Sequence, residues 1–152
     1  MRTVLSALLL IAAVCMPRVA HSASPPFTSA RHIEAFRVTP RWEEGKASSK
    51  TWREQKIIAG PRPVPESTSR AIAEELQRVY KTDRPLTRCA FVARYGLRVR
   101  LASGSVDVLV CPHCSEVHFF TDSVTRSSSM SAQLLRLLKP LFPDYPLREN
   151  EA

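Results

Sequence analysis

Phe91-Val92-Ala93-Arg94-Tyr95-Gly96-Leu97-Arg98-Val99-Arg100-Leu101 is the stretch that decides the fold. Phe91, Ala93, Tyr95, Leu97, Val99 and Leu101 alternate with Val92, Arg94, Gly96, Arg98 and Arg100. A period of two over eleven residues means a strand with one buried face and one face carrying arginines. Ser103-Gly104 can turn the chain into a second strand, Val106–Val110. A two-residue turn there sets Val99 opposite Val108 and Arg100 opposite Asp107, the latter a cross-strand ion pair. Val117-His118-Phe119-Phe120 supplies a third strand beyond Cys111-Pro112-His113-Cys114. The expected fold is α+β: an antiparallel three- to five-stranded meander covered on one face by two helices.

The two helices come from either side of this centre. Over Ser67–Tyr80, Ile72, Leu76, Val79 and Tyr80 recur at helical spacing, and Glu74–Arg78 is an i,i+4 pair on the polar side. From about Ser131 to Lys139, Met130, Leu134, Leu137, Leu138 and Leu141 form an apolar face that Pro140 ends or kinks. Ile33–Val38 and Gln55–Ala59 are weaker strand candidates. Pro40–Lys50 and the Ser/Thr-rich Thr121–Ser129 lack apolar periodicity and are expected to be loops. Gly60-Pro61-Arg62-Pro63-Val64-Pro65 is expected to be a stiff extended connector. Trp42 and Trp52 flank the first loop, as caps on the core or as anchors for a partner.

The amino terminus has the form of a secretory signal peptide: Arg2, an apolar run of 13 residues from Val4 to Met16, and Ala20-His21-Ser22 before a cleavage point. That run is too short to span a bilayer, which takes roughly 20 residues. Cys15 follows Val14, where an acylated cysteine follows Gly, Ala or Ser, so a lipid anchor is not expected. The expected organisation is a signal peptide over 1–22, a flexible leader over 23–30, one α+β domain over 31–143 and a polar tail over 144–152. Export places the mature chain in a periplasmic or extracellular setting. The formal net charge of +8 is scattered, with no run of five basic residues and few aromatics. Together with export, that argues against a nucleic-acid partner and leaves weak attraction to an anionic envelope surface.

Removal of the signal leaves Cys89, Cys111 and Cys114, an odd number that one disulfide and one free thiol satisfy most simply. A structural disulfide is the leading reading. The geometry of a meander favours Cys89–Cys111 or Cys89–Cys114 over Cys111–Cys114, because Pro112 does not suit a primed hairpin turn. A second reading is a zinc site built from Cys89, Cys111 and Cys114 with His113 or His118 as a fourth ligand. No other cofactor is indicated. The third is a redox pair. Cys-Pro-His-Cys resembles the active-site tetrapeptide of DsbA-type thioredoxin-fold oxidases, where Cys111 would attack, Cys114 would resolve and His113 would lower the pKa of Cys111. That fold needs a helix directly after the motif and some seventy further residues. Here 38 residues follow Cys114, beginning with a strand.

A wider resemblance spans residues 57–143. Cys89, Arg94-Tyr95-Gly96-Leu97-Arg98, Val106-Asp107-Val108-Leu109-Val110-Cys111-x-x-Cys114, an apolar helix and Leu141-Phe142-Pro143 together are similar to a group of small exported bacterial proteins of unknown function. Pro112-His113 departs from the Phe-plus-variable pair that members often carry there. The resemblance implies that the three cysteines act together, and it supplies no activity.

Arg94, Arg98 and Arg100 share a strand face with Asp107, Glu116 and His118, a candidate anion-binding surface with His118 near Asp107 as a titratable pair. The competing reading is a solvated face balanced by cross-strand ion pairs. Neither a nucleophile elbow nor a phosphate-binding glycine loop occurs. The sequence therefore points to an exported binding or scaffolding domain with a three-cysteine cluster and no catalysis. A thiol–disulfide or metal-handling protein using Cys111 and Cys114 is the alternative.

Overall fold

The computed structural model describes residues 25–40, 50–82, 88–122 and 124–147. The signal-peptide segment, most of the Pro40–Lys50 loop with Trp42, and the end of the polar tail lie outside them. Seven strands form one antiparallel sheet: β1 (His32–Pro40), β2 (Thr51–Trp52), β3 (Gln55–Pro63), β4 (Tyr95–Leu101), β5 (Gly104–Cys111), β6 (Glu116–Phe120) and β7 (Thr125–Ser129). Their order is β2-β3-β1-β4-β5-β6-β7, curled into a half-barrel, with two short helices, α1 (Glu66–Tyr80) and α2 (Ala132–Leu138). The expected three- to five-stranded meander under two helices is thus overturned. Only β4 to β7 run as a meander, and β1 inserts between β3 and β4, pairing Ile33 with Val99.

Three physical causes account for the difference. β7 consists of Thr-Arg-Ser-Ser-Ser and is a strand because it completes the free edge of β6, not because it is apolar. Its helix-side residues still fit: Ser128 is buried, and Arg126 lies over the Tyr80 ring, 4.8 Å from its centroid. β3 absorbs the proline-rich stretch expected to be a connector. β2 covers only its first two residues, so Pro61 and Pro63 sit where no neighbour among the described residues needs an N–H on that edge. Gly60 makes the crossing possible. It has φ +95°, and a Cβ there would lie 2.6 Å from the Ala35 carbonyl oxygen, beside a register shift in β1.

The β4–β5 hairpin also differs from expectation by two residues. Leu101 pairs with Gly104, so Val99 faces Val106 and Asp107 faces Arg98 rather than Arg100. A shift of two preserves the faces, which is why the alternation alone could not distinguish the registers.

One sheet face and both helices build the main core: Ile33, Leu97, Val99, Val108, Val117 and Phe119 meet Ile72, Leu76, Leu134 and Leu138. Phe27, in the segment read as leader, is fully buried, 5.7 Å from both Tyr80 and Phe119 ring to ring. The ordered core therefore begins by Phe27. Leu147, in the segment read as tail, also packs against it. Glu75 ties the helices together: it accepts from the Ser131 hydroxyl, whose oxygen caps α2 by accepting from Leu134 N–H, and it pairs with Arg78. The expected Glu74–Arg78 pair is replaced by this one, because Glu75 faces the helix junction.

The opposite sheet face carries a second apolar cluster of Phe36, Val38, Trp52, Ala93 and Leu109, with Phe91 and Phe120 against it. Trp52 reaches it through the β2–β3 hairpin, whose two central residues, Arg53 (φ 48°) and Glu54 (φ 63°), are left-handed, as a type I′ turn requires. The indole stacks on Phe36 at 4.8 Å and lies on Gly96.

Candidate functional site

The three cysteines meet at one corner of this second face. Cys111 is the last residue of β5, opposite Glu116 on β6, and its side chain points away from the helices. Pro112–Ser115 turn the chain back, with Ser115 N–H donating to the Pro112 carbonyl and Ser115 itself at φ 51°. Cys89 and Cys114 form a disulfide with Cα atoms 5.7 Å apart, one of the two pairings expected from sequence. Cys111 is the free thiol and is fully buried. Its Sγ accepts from the N–H groups of Cys114 and Val92, each at 3.3 Å.

The disulfide fixes the segment that covers this corner. Phe91, two residues after Cys89, stacks on the His118 imidazole with centroids 3.7 Å apart and planes within 12°. Beneath it His118 Nε2 is 3.8 Å from the Glu116 carboxylate, an electrostatic contact too long for a hydrogen bond, and Nε2 has no hydrogen-bond partner among the described residues. Burial pushes the imidazole below its ordinary value of 6.5, while Glu116 acts the other way. His118 therefore pairs with Glu116 and not with Asp107.

Asp107, 8% exposed, lies instead between two guanidinium groups. Arg98 Nε donates to Oδ1 at 3.0 Å and Arg53 Nε to Oδ2 at 2.8 Å. Arg53 also covers the Phe120 ring at 5.1 Å. The pattern of the sequence missed Arg53, since Trp-Arg-Glu-Gln carries none of the Gly or Asn residues that mark a type I′ turn. The three arginines of the candidate anion face do not converge. Arg98 holds Asp107, Arg100 pairs with Glu34 at 3.5 Å, and Arg94 donates to the Thr39 hydroxyl at 3.2 Å.

For the zinc reading, the disulfide takes the thiolates of Cys89 and Cys114. Among the described residues no group of three or more His, Cys, Asp or Glu is arranged to hold a metal ion. Nor, among them, is any helix long and apolar enough to cross a membrane. In comparisons with known proteins, no family model, no curated protein and no solved structure matches the chain.

A depressed histidine pKa has a definite consequence for stability. Below about 6.5 the unfolded chain protonates His118 while the folded chain keeps it neutral, so the unfolded state binds more protons. Stability contributed here falls as pH drops from 6.5 to the lower folded value and is unaffected above that window. Urea melts of the wild type and His118→Gln from pH 5 to 8 check it. The wild type is expected to lose stability more steeply on acidification below 6.5. Parallel curves would remove the effect.

Proposed function

We propose that this chain is an exported, non-catalytic binding domain, with the Cys89–Cys114 disulfide holding its frame. The observation that carries this reading is the closure of the cysteine corner. The free thiol, the group with most chemical potential, lies at 0% exposure behind the Cys89–Val92 segment. Sealed there, Cys111 has no direct route to an external substrate, whereas the attacking cysteine of an oxidoreductase is partly exposed. What lies open is a cleft of about 530 Å³ where the start of β1 meets α1. Val64 and Ala73 contribute apolar surface, and Arg31, His32, Arg70, Glu66 and Glu74 surround it with both signs of charge. Its lining is more polar than apolar, and the concave shape with converging polar groups is what it shares with ligand sites in general. The mixed charge suits a short peptide or amino-acid-like ligand bearing a carboxylate and an ammonium group.

Thermal melts with a panel of short charged peptides test the proposal. A ligand present at a hundred times its Kd is expected to stabilise the fold by about 2.7 kcal/mol. The gain should vanish in a folded Arg31→Glu/Glu74→Arg variant. Turnover of a thiol, peptide or ester substrate by the pure protein would overturn the reading, and so would stabilisation that survives the charge reversal.

A further inference from the structure

Cys111 Sγ is held by two N–H donors, and one of them is the amide of Cys114, a member of the disulfide. The other is Val92, on the segment that carries Cys89. The free sulfur is therefore enclosed between the two chain segments that the disulfide joins. Cys111 and Cys114 stand three residues apart across the Pro112–Ser115 turn, a spacing at which cysteines form a disulfide with each other.

We propose that Cys111 is the internal exchange partner of this disulfide and that exchange presents Cys89 as a reactive thiol. In the step, the Cys111 thiol loses its proton and its sulfur attacks Cys114 Sγ. The Cys111–Cys114 bond forms, the Cys89–Cys114 bond breaks, and Cys89 leaves as a thiolate that takes up one proton. One disulfide and one thiol stand on each side, so no oxidant or reductant is consumed.

The surroundings give the two states different outcomes. Cys111 is sealed from solvent, whereas Cys89 is half-buried between the exposed residues Arg88 and Ala90. An adjacent cation favours a thiolate. The segment has a fixed far end: Arg94 N–H donates to the Val110 carbonyl, and its own carbonyl accepts from Val38 N–H and from Arg37. Exchange thus frees a short arm, Cys89–Val92, hinged at Arg94 and kept near the sheet by the Phe91–His118 stack. The ligand class is a disulfide, either of low molecular weight or on a partner protein. With a disulfide R–S–S–R, the Cys89 thiolate forms a mixed disulfide and expels one R–S⁻.

Native protein incubated with N-ethylmaleimide at pH 8, acid-quenched and digested without reduction tests the proposal. The expected result is label accumulating on Cys89 with a Cys111–Cys114 crosslink in the same molecules. Folded Cys111→Ser, which keeps the Cys89–Cys114 bond, is expected to take up no label, and so is Cys111→Ala. With oxidised glutathione as probe, the adduct is expected on Cys89 of the wild type alone. Label on Cys111 with the Cys89–Cys114 bond intact, or no label after a day, overturns the proposal. Equal labelling of Cys89 in the Cys111 variants overturns it as well.

Discussion

Replacing both Cys89 and Cys114 by serine is expected to lower the folding free energy by about 3.5 kcal/mol. The bond closes a loop with a sequence separation of 25, and loop-closure entropy for that length gives this figure. The double replacement is the clean one, because a single serine leaves a cysteine free to pair with Cys111. For a domain of this size the loss corresponds to a fall in Tm of roughly 10–15 °C. The effect should also be visible locally. Without the bond, this segment is held by the Phe91–His118 stack and the Val92 N–H contact to Cys111 Sγ, so amide exchange is expected to rise first around residues 89–92. A change in Tm of less than a few degrees would show that the corner contributes little to the frame.

Gly96→Ala is expected to weaken the protein by about 3–5 kcal/mol, the range for taking a large aromatic out of a core. A Cβ on Gly96 would stand 2.2 Å from Trp52 Cζ3 and 3.0 Å from Cη2, well inside contact distance. Either β4 or the indole must yield. β4 is hydrogen-bonded on both sides, to β1 and β5, while Trp52 sits on a two-residue strand at the sheet edge. The indole is therefore the part that moves, taking with it the Phe36 stack and the Arg53–Asp107 pair at the turn. With Trp42 replaced by Phe, so that Trp52 is the only tryptophan, the variant's tryptophan emission should lie at longer wavelength and the variant should unfold at lower denaturant. An unshifted spectrum with unchanged stability would mean that the hairpin does not lie on Gly96.

The parts of this fold that the sequence revealed are those specified by apolar period. The alternation from Tyr95 to Leu101 and the face of Ile72, Leu76, Val79 and Tyr80 lead directly to β4 and α1, whereas Phe91 and Ala93, expected in the same strand and on the same face, precede β4 and join the opposite apolar cluster. The parts that escaped are specified by pairing. β7 has no apolar repeat and exists through the edge of β6, and the prolines of β3 suggest a connector until its place at the sheet margin is known. The second apolar face was hidden for a related reason: Phe36 and Val38 alternate correctly, but Trp52 joins them only after a turn that carries no turn residue.

The candidate site was legible to a similar degree. Cys89, Cys111 and Cys114 could be grouped by counting, and Cys89–Cys114 was one of two favoured pairings. The stack of Phe91 on His118 depends on how a loop folds back, for which sequence spacing has no signal. The same holds for Asp107, whose partners Arg98 and Arg53 come from register and from a turn.

The most direct test of the account is the cysteine state of the native protein, trapped by acid and mapped without reduction. The expected result is a resting Cys89–Cys114 crosslink with Cys111 reduced and alkylated only after unfolding. A resting Cys111–Cys114 or Cys89–Cys111 crosslink would contradict it, and so would three cysteines free to react around a bound metal ion.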